Sequence, residues 1–122
     1  MSMTTSTRQV GDVTILNIKG RIIFGDAGAT VHDVITDLLS KGHKQILCNL
    51  AAVEYIDSMG MGCLVGAFTS MRKQGGELKL LKLSDKVAEV MQITKLYTIF
   101  DIENDEAAAV KSFSRSTAAP GS

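Results

Sequence analysis

The chain has 122 residues, 45% hydrophobic and 21% charged, which fits one domain around one core. Thirteen basic and thirteen acidic residues cancel, so no charge excess indicates binding to nucleic acid or to a membrane surface. No apolar run approaches the roughly 20 residues of a membrane span, and the polar residues 1–8 do not read as a signal peptide. We therefore expect a cytoplasmic protein.

The N-terminal part of the chain predicts a β-hairpin. Residues 3–10 and 13–19 are rich in β-branched side chains, and the Gly-Asp pair between them is typical of a tight turn. Gly20 is expected to end the second strand. The apolar loop that follows, residues 22–24, either packs into the core or is displayed to a partner, and the sequence leaves both interpretations open.

A helix and a central strand are predicted next. Asp26 is the candidate N-cap, and apolar residues then repeat at helical spacing as far as a glycine at position 42. Residues 45–50 are mostly apolar, as expected for a strand covered on both faces, and they complete a parallel βαβ unit. His32 and His43 fall outside the apolar stripe. We expect both to face solvent and neither to bind a metal.

A short motif, called the box below, then joins this strand to a long helix. It reads Tyr-Ile-Asp-Ser-Met-Gly-Met-Gly over residues 55–62. A helix N-terminus leaves backbone N–H groups unpaired and carries partial positive charge. Three interpretations stay open: Asp57 or Ser58 is an N-cap, which is the commonest role, Ser58 is a phosphoacceptor, or Ser58 is a nucleophile. No glycine stands two residues before Ser58, as a nucleophile elbow requires, and both histidines precede it.

The helix after Ser58 has two uncharged faces. One is the predicted core face: Met61, Leu64, Val65, Phe68 and Met71. The other carries small or apolar residues: Met59, Gly62, Cys63, Gly66 and Ser70. Each glycine inside a helix costs about 1 kcal/mol relative to alanine. We therefore expect close packing on the second face, by a partner or by another segment of the same chain.

The remainder of the chain predicts two more strands and two more helices. Residues 77–83 alternate charged residues and leucines, and Ser84 is a good N-cap for a short amphipathic helix. Residues 97–102 are expected to form a last strand, and Asn104 to cap a final helix over 105–113. Two cysteines, Cys48 and Cys63, are expected to be buried, reduced thiols.

The predicted fold class is α/β, a single domain with a mixed β-sheet, an N-terminal hairpin and about four helices. We expect a flexible N-terminus over residues 1–7, one domain over 8–113 and a disordered tail over 114–122, which is rich in Ser, Ala, Pro and Gly. The sequence contains no internal repeat and no internal domain boundary.

With this order of elements, the chain resembles the STAS domain family, and more narrowly the bacterial anti-sigma factor antagonists. The similarity lies in residues 49–62 with the Asp-Ser-x-Gly box, in Gln-Gly-Gly-Glu-Leu at 74–78, and in Leu-Tyr-Thr-Ile-Phe at 96–100. It covers about residues 8–113, nearly all of the predicted domain.

The resemblance implies a protein that is not an enzyme, and we expect no cofactor and no metal. Members bind a GHKL-type kinase that is also an anti-sigma factor, and so free a sigma factor for transcription. The kinase phosphorylates the serine of the box, here Ser58, which breaks the complex, and a PP2C-type phosphatase reverses the step. A weak homodimer is compatible with this function. The expected partner-binding residues are Asp57, Met59, Gly60, Gly62, Cys63, Gly66, Asp26 and Phe24.

The chain departs from the family pattern at two positions. Met59 stands where many members carry a small residue directly after the serine. Ile23 stands where many carry an aspartate, and the nearest acid is Asp26. The alternative function for the same fold is a non-switching STAS adaptor subunit in a signalling scaffold or lipid-transport complex. A nucleotide-binding role has no support, since the sequence lacks the glycine pattern of a P-loop.

Overall fold

A computed structural model of the protein describes residues 3–23 and 31–113. These residues form a five-stranded mixed sheet in the order β1-β2-β3-β4-β5. The first two strands pair antiparallel and the others parallel. The strands are β1 (Met3–Val10), β2 (Val13–Ile22), β3 (Gln45–Ile56), β4 (Glu77–Leu81) and β5 (Ile102–Glu103). The predicted α/β class with an N-terminal hairpin is confirmed.

Four α-helices pack on the two faces of the sheet in the described part of the chain. The main core lies between one face and three helices: α1 (Val31–Ser40), α2 (Ser58–Lys73) and α3 (Asp85–Thr94). A smaller core lies on the other face beneath α4 (Glu106–Ser112). Side chains alternate between the faces along a strand, so Ile46 and Cys48 enter the main core and Leu47 the smaller one.

The second strand of the N-terminal hairpin is longer than the sequence predicts, whereas the first has its predicted bounds, Met3–Val10. Residues 3–7, which we expected to be flexible, belong to β1, because their backbone pairs with β2 from the Met3–Gly20 register onward. Strand β2 in turn runs past Gly20, and Ile22 is its last residue. Ile22 is buried in the main core, so its side chain is not displayed to a partner.

Strand β3 also continues beyond its predicted end at residue 50. It runs through two register shifts against β2, one between Asn49 and Ala52 and one between Val53 and Tyr55. Each shift puts an extra residue into β3, so the buried positions fall at Leu50, Val53 and Ile56 rather than at every second residue. The prediction placed the end of β3 too early because bulges interrupt the alternation of buried and exposed side chains on which strand prediction relies.

The C-terminal predictions need three corrections. The last strand is not residues 97–102: Leu96–Thr98 forms a 3-10 turn, and β5 covers only Ile102–Glu103. Asp105 rather than Asn104 caps α4, with its Oδ2 accepting from the Ala108 N–H at 2.8 Å. Strand β4 ends at Leu81, before a residue of positive φ.

Both histidines were predicted to face solvent. In the structure each is half-buried, in contact with another element. The Nδ1 of His43 lies 2.8 Å from the Thr14 hydroxyl. A side chain at Gly66 would lie 3.2 Å from the His32 ring.

Phe24, Asp26 and the tail over 114–122 lie outside the described residues. In the parts of the chain that are described, no helix is long and apolar enough to cross a membrane.

Candidate functional site

The site begins where β3 enters α2. Ile56 is buried at the end of the strand, and the next backbone N–H, of Asp57, donates to the carbonyl of Ile22 at 3.4 Å. The Asp57 Oδ1 accepts a hydrogen bond from the Gly60 N–H at 2.6 Å, which makes Asp57 the N-cap of α2. Of the two candidate caps, Asp57 has this role, and Ser58 is the first helical residue.

Ser58 is exposed, and its hydroxyl does not stabilise the described part of the fold. None of them forms a hydrogen bond with it, whereas Asp57 beside it is engaged in capping. The hydroxyl stands in the first turn of a 16-residue helix, where backbone N–H groups favour negative charge. This turn contains no acidic residue after the cap. The geometry therefore suits a group that gains negative charge.

Gly60 has a structural role that the sequence analysis did not predict. It is buried, and a Cβ at this position would overlap the carbonyl oxygen of Ile22. Glycine is required there because α2 starts directly beneath the end of β2. Gly60 sets the position of the box from the inside of the fold, and its expected contact with a partner stays a prediction.

The second face of α2 is shared between α1 and solvent. Gly66 faces His32 of α1, and Cys63 is half-buried. Burial, together with the carboxylates of Asp33 and Asp57, raises the pKa of the Cys63 thiol. The end of the face nearer Ser58 is open. Met59 is 59% exposed, and a Cβ built at Gly62 has no described atom within 4 Å apart from its chain neighbours and the backbone of its own helix.

The predicted core face of α2 is largely confirmed. Met61, Leu64 and Met71 are fully buried, while Val65 and Phe68 are half-buried at its borders. The buried residues also include Ala67, which the prediction missed. Cys48 is buried as predicted, and burial raises the pKa of its thiol to about 12.

The sequence analysis assigned no role to Tyr55, the first residue of the box, or to the two cations that contact its ring. Tyr55 is 38% exposed at the end of β3. The Arg21 Cζ lies 5.5 Å from the centre of its ring and the Lys86 Nζ lies 5.4 Å from it. These residues come from β2, β3 and α3, so only the folded chain brings them together. An aromatic residue three positions before Ser58 was the one available signal.

The described residues contain no group of three or more His, Cys, Asp or Glu side chains that could hold a metal ion. Ile23, the second departure from the family pattern, is half-buried at the end of the first described segment. Its role relative to Asp26 stays a prediction, since Asp26 lies outside the described ranges.

A model of the STAS domain matches residues 4–109. An anti-sigma-B factor antagonist of Bacillus subtilis (strain 168) is 32% identical over 111 residues, which are 91% of this chain and 100% of the relative. A second relative with that name, from Listeria monocytogenes, is 45% identical over 58 residues, 48% of this chain and 51% of its own length.

The fold has similar solved structures. A crystal structure of a candidate anti-sigma factor antagonist from Thermotoga maritima superposes with a TM-score of 0.74 at 28% identity, covering 88% of this chain and 92% of its own. The Bacillus cell fate determinant SpoIIAA in its phosphorylated form has a TM-score of 0.66, covering 88% and 97%. At 19% identity, this second likeness concerns the fold alone.

Proposed function

This chain belongs to the STAS domain family, and from that premise we propose that it is an anti-sigma factor antagonist switched off by phosphorylation of Ser58. In its unphosphorylated form it binds a GHKL-type anti-sigma factor kinase, which then releases a sigma factor. The kinase transfers phosphate to Ser58 and the complex dissociates. A PP2C-type phosphatase restores the active form. The protein acts by binding, not by catalysis.

The observation that carries this proposal is the free Ser58 hydroxyl. Asp57 caps α2 and Gly60 positions the helix under β2, so the structural work at this junction is done without Ser58. The hydroxyl is exposed and therefore accessible both to a kinase and to a phosphatase. A residue that is accessible and structurally unneeded can be modified and restored without unfolding the domain.

Phosphorylation would change the charge of this surface sharply. A phosphoserine adds about −1.5 to −2 charges at pH 7. It would stand beside the Asp57 carboxylate and next to the open, uncharged positions Met59 and Gly62. A partner that packs on Met59 and Gly62 would have to desolvate the phosphate or face its repulsion. Binding is therefore lost although no contact within the domain is broken.

The domain itself contains a helix start that accommodates such charge. In α4, Asp105 is the N-cap and Glu106 the first helical residue, so two carboxylates occupy the positions of Asp57 and Ser58 in α2. At α4 the ion pair of Glu106 with Arg8 offsets the repulsion, and favourable interaction with the helix N-terminus, which α2 shares, offsets a further part. SpoIIAA, which shares the fold, is known in a phosphorylated form. Both points support a switch that leaves the domain folded.

The test is intact-mass spectrometry after incubation with ATP and each purified GHKL-type anti-sigma kinase of the source organism. We expect one added phosphate on the wild type and on Ser84→Ala, and none on Ser58→Ala. Ser84 is the matched control, since it is also a serine at the start of a helix. A stable complex that accepts no phosphate on Ser58 would contradict the switch and favour the adaptor function.

The proposed docking surface, which contains Met59 and Gly62, can be tested separately with Gly62→Glu. Gly62 has open space around it, so the variant should fold and lose binding to the kinase at least about tenfold, because it places a carboxylate on the open face. Ala107→Glu is the control, an exposed helical alanine on α4 across the sheet. Equal binding by the two variants would mean that the partner docks elsewhere.

A further inference from the structure

We infer that Tyr55 is the aromatic anchor of the docking surface, held in place by Arg21 and Lys86, and that it enters an acid-rimmed recess on the kinase. The inference rests on the proposed function and extends it from the phosphoacceptor to a second group of residues. The proposed phosphorylation of Ser58 does not require Tyr55, so an experiment can contradict the role of either residue and leave the other proposal standing.

The position of Tyr55 results from the bulges of β3. Val53 and Ile56 are both buried, and the register shift between Val53 and Tyr55 gives the strand one extra residue there. Bulges commonly redirect a side chain next to a functional site. Here the bulge keeps the two aliphatic side chains in the core and leaves Tyr55 outside, three residues before Ser58.

Two cations restrict the exposed ring. The Arg21 Cζ and the Lys86 Nζ lie 5.5 Å and 5.4 Å from its centre, within the range of cation–π attraction. Arg21 comes from β2 and Lys86 from the first turn of α3, so the ring is held from two elements. An anchor that is ordered before binding loses less conformational entropy when the complex forms.

The polar end of Tyr55 is available to a partner. None of the described residues forms a hydrogen bond with its hydroxyl, and 38% of the residue is exposed. A tyrosine with an accessible ring and a free hydroxyl is the kind of residue that dominates binding energy at protein interfaces. Tyr55 is the first residue of the box and lies four residues before Met59, and both side chains are exposed.

The chemistry of the recess follows from the charges around the ring. Arg21 forms no ion pair with any described carboxylate, and Lys86 has one exposed partner, Glu89, at 3.4 Å. The anchor thus brings a guanidinium that is in no ion pair with the described residues. Carboxylates on the rim of the partner's recess would be attracted to it, whereas basic residues would be repelled.

Tyr97 provides a matched control, since the chain has two tyrosines and both are exposed. Tyr97 is 44% exposed and lies in the 3-10 turn after α3. We would measure the affinity of wild type, Tyr55→Ala and Tyr97→Ala for the GHKL-type kinase that phosphorylates Ser58, with circular dichroism to verify folding. We expect Tyr55→Ala to weaken binding at least about tenfold and Tyr97→Ala by less than about threefold. Tyr55→Thr, which keeps a strand-favouring residue, should behave as Tyr55→Ala does.

The cations are tested by the salt dependence of binding. Arg21→Gln should lower the association rate and flatten its dependence on ionic strength, and Lys19→Gln, an exposed cation on the same strand, should do neither. A wild type that binds no kinase would overturn the proposed function. A wild type that binds, with Tyr55→Ala and Tyr97→Ala equally weakened or equally unaffected, would overturn the anchor alone.

Discussion

Two helices of this domain begin beside a serine, and the two serines have different roles. At the start of α3, Ser84 is the N-cap, and its hydroxyl accepts a hydrogen bond from the Val87 N–H at 3.3 Å. At the start of α2, Asp57 caps the helix, and Ser58 follows with a free hydroxyl. At α2 an aspartate takes the capping role that a serine has at α3, so among the described residues the Ser58 hydroxyl is left without a partner.

The largest expected effect concerns how the start of α2 is positioned. Gly60→Ala would place a methyl group against the Ile22 carbonyl, and this backbone overlap should destabilise the domain by about 1–3 kcal/mol. Gly62→Ala adds the same group in open space and should stabilise it by about 0.4–1 kcal/mol. Urea unfolding of the two variants measures both. Equal effects would show that β2 does not constrain the start of α2.

The two caps should contribute similar stability. Asp57→Ala and Ser84→Ala each leave one N-terminal N–H group of a helix without its acceptor, at a cost of about 1 kcal/mol. Asp57→Asn keeps an accepting oxygen and should recover most of the loss. The midpoints of urea unfolding give the comparison. If Asp57→Ala were neutral while Ser84→Ala was costly, the cap of α2 would be dispensable.

Ser58→Ala should change stability by less than about 0.5 kcal/mol, since it removes an exposed hydroxyl without a hydrogen-bond partner among the described residues. Ser84→Ala is again the contrast, costing stability while leaving phosphorylation intact. Thermal unfolding of both variants, next to the mass measurement, separates the two roles. A loss of more than about 1 kcal/mol in Ser58→Ala would mean that Ser58 has a structural role first.

The smallest effect is expected at the start of α4. Glu106 accepts hydrogen bonds from Arg8, which lowers the pKa of the carboxyl below its ordinary 4.5. A lowered native pKa stabilises the fold above the ordinary pKa, and this contribution is lost as pH falls through the lower native value. Glu106→Gln should therefore reduce stability slightly at pH 7, and the difference from wild type should shrink as pH falls below 4.5.

The pair is solvent-exposed, so its contribution should also disappear at about 1 M salt. Acid unfolding of wild type and Glu106→Gln at low and high salt tests this. A difference that persists in high salt, or that grows as pH falls, would contradict the assignment to the Arg8 ion pair.

Local chemistry made much of the fold predictable. The turn glycine at position 11, the β-branched strands and the helical spacing of apolar residues each act over a few residues, and the elements that they predict are present. The Asp-Ser pair at a helix start also identified the candidate site. The sequence left open which residue caps α2 and which glycines are packed against another segment, because both depend on contacts that exist only in the folded chain.

The sequence by itself determined the α/β class, the N-terminal hairpin and the position of Ser58 at the start of α2, because short-range propensity and periodicity specify them. Only the tertiary structure decided that Gly60 is buried under Ile22, that α1 covers Gly66, and that Tyr55 lies between two cations. These contacts join residues from different elements. Their geometry depends on bulges in β3 that break the period on which a sequence prediction relies.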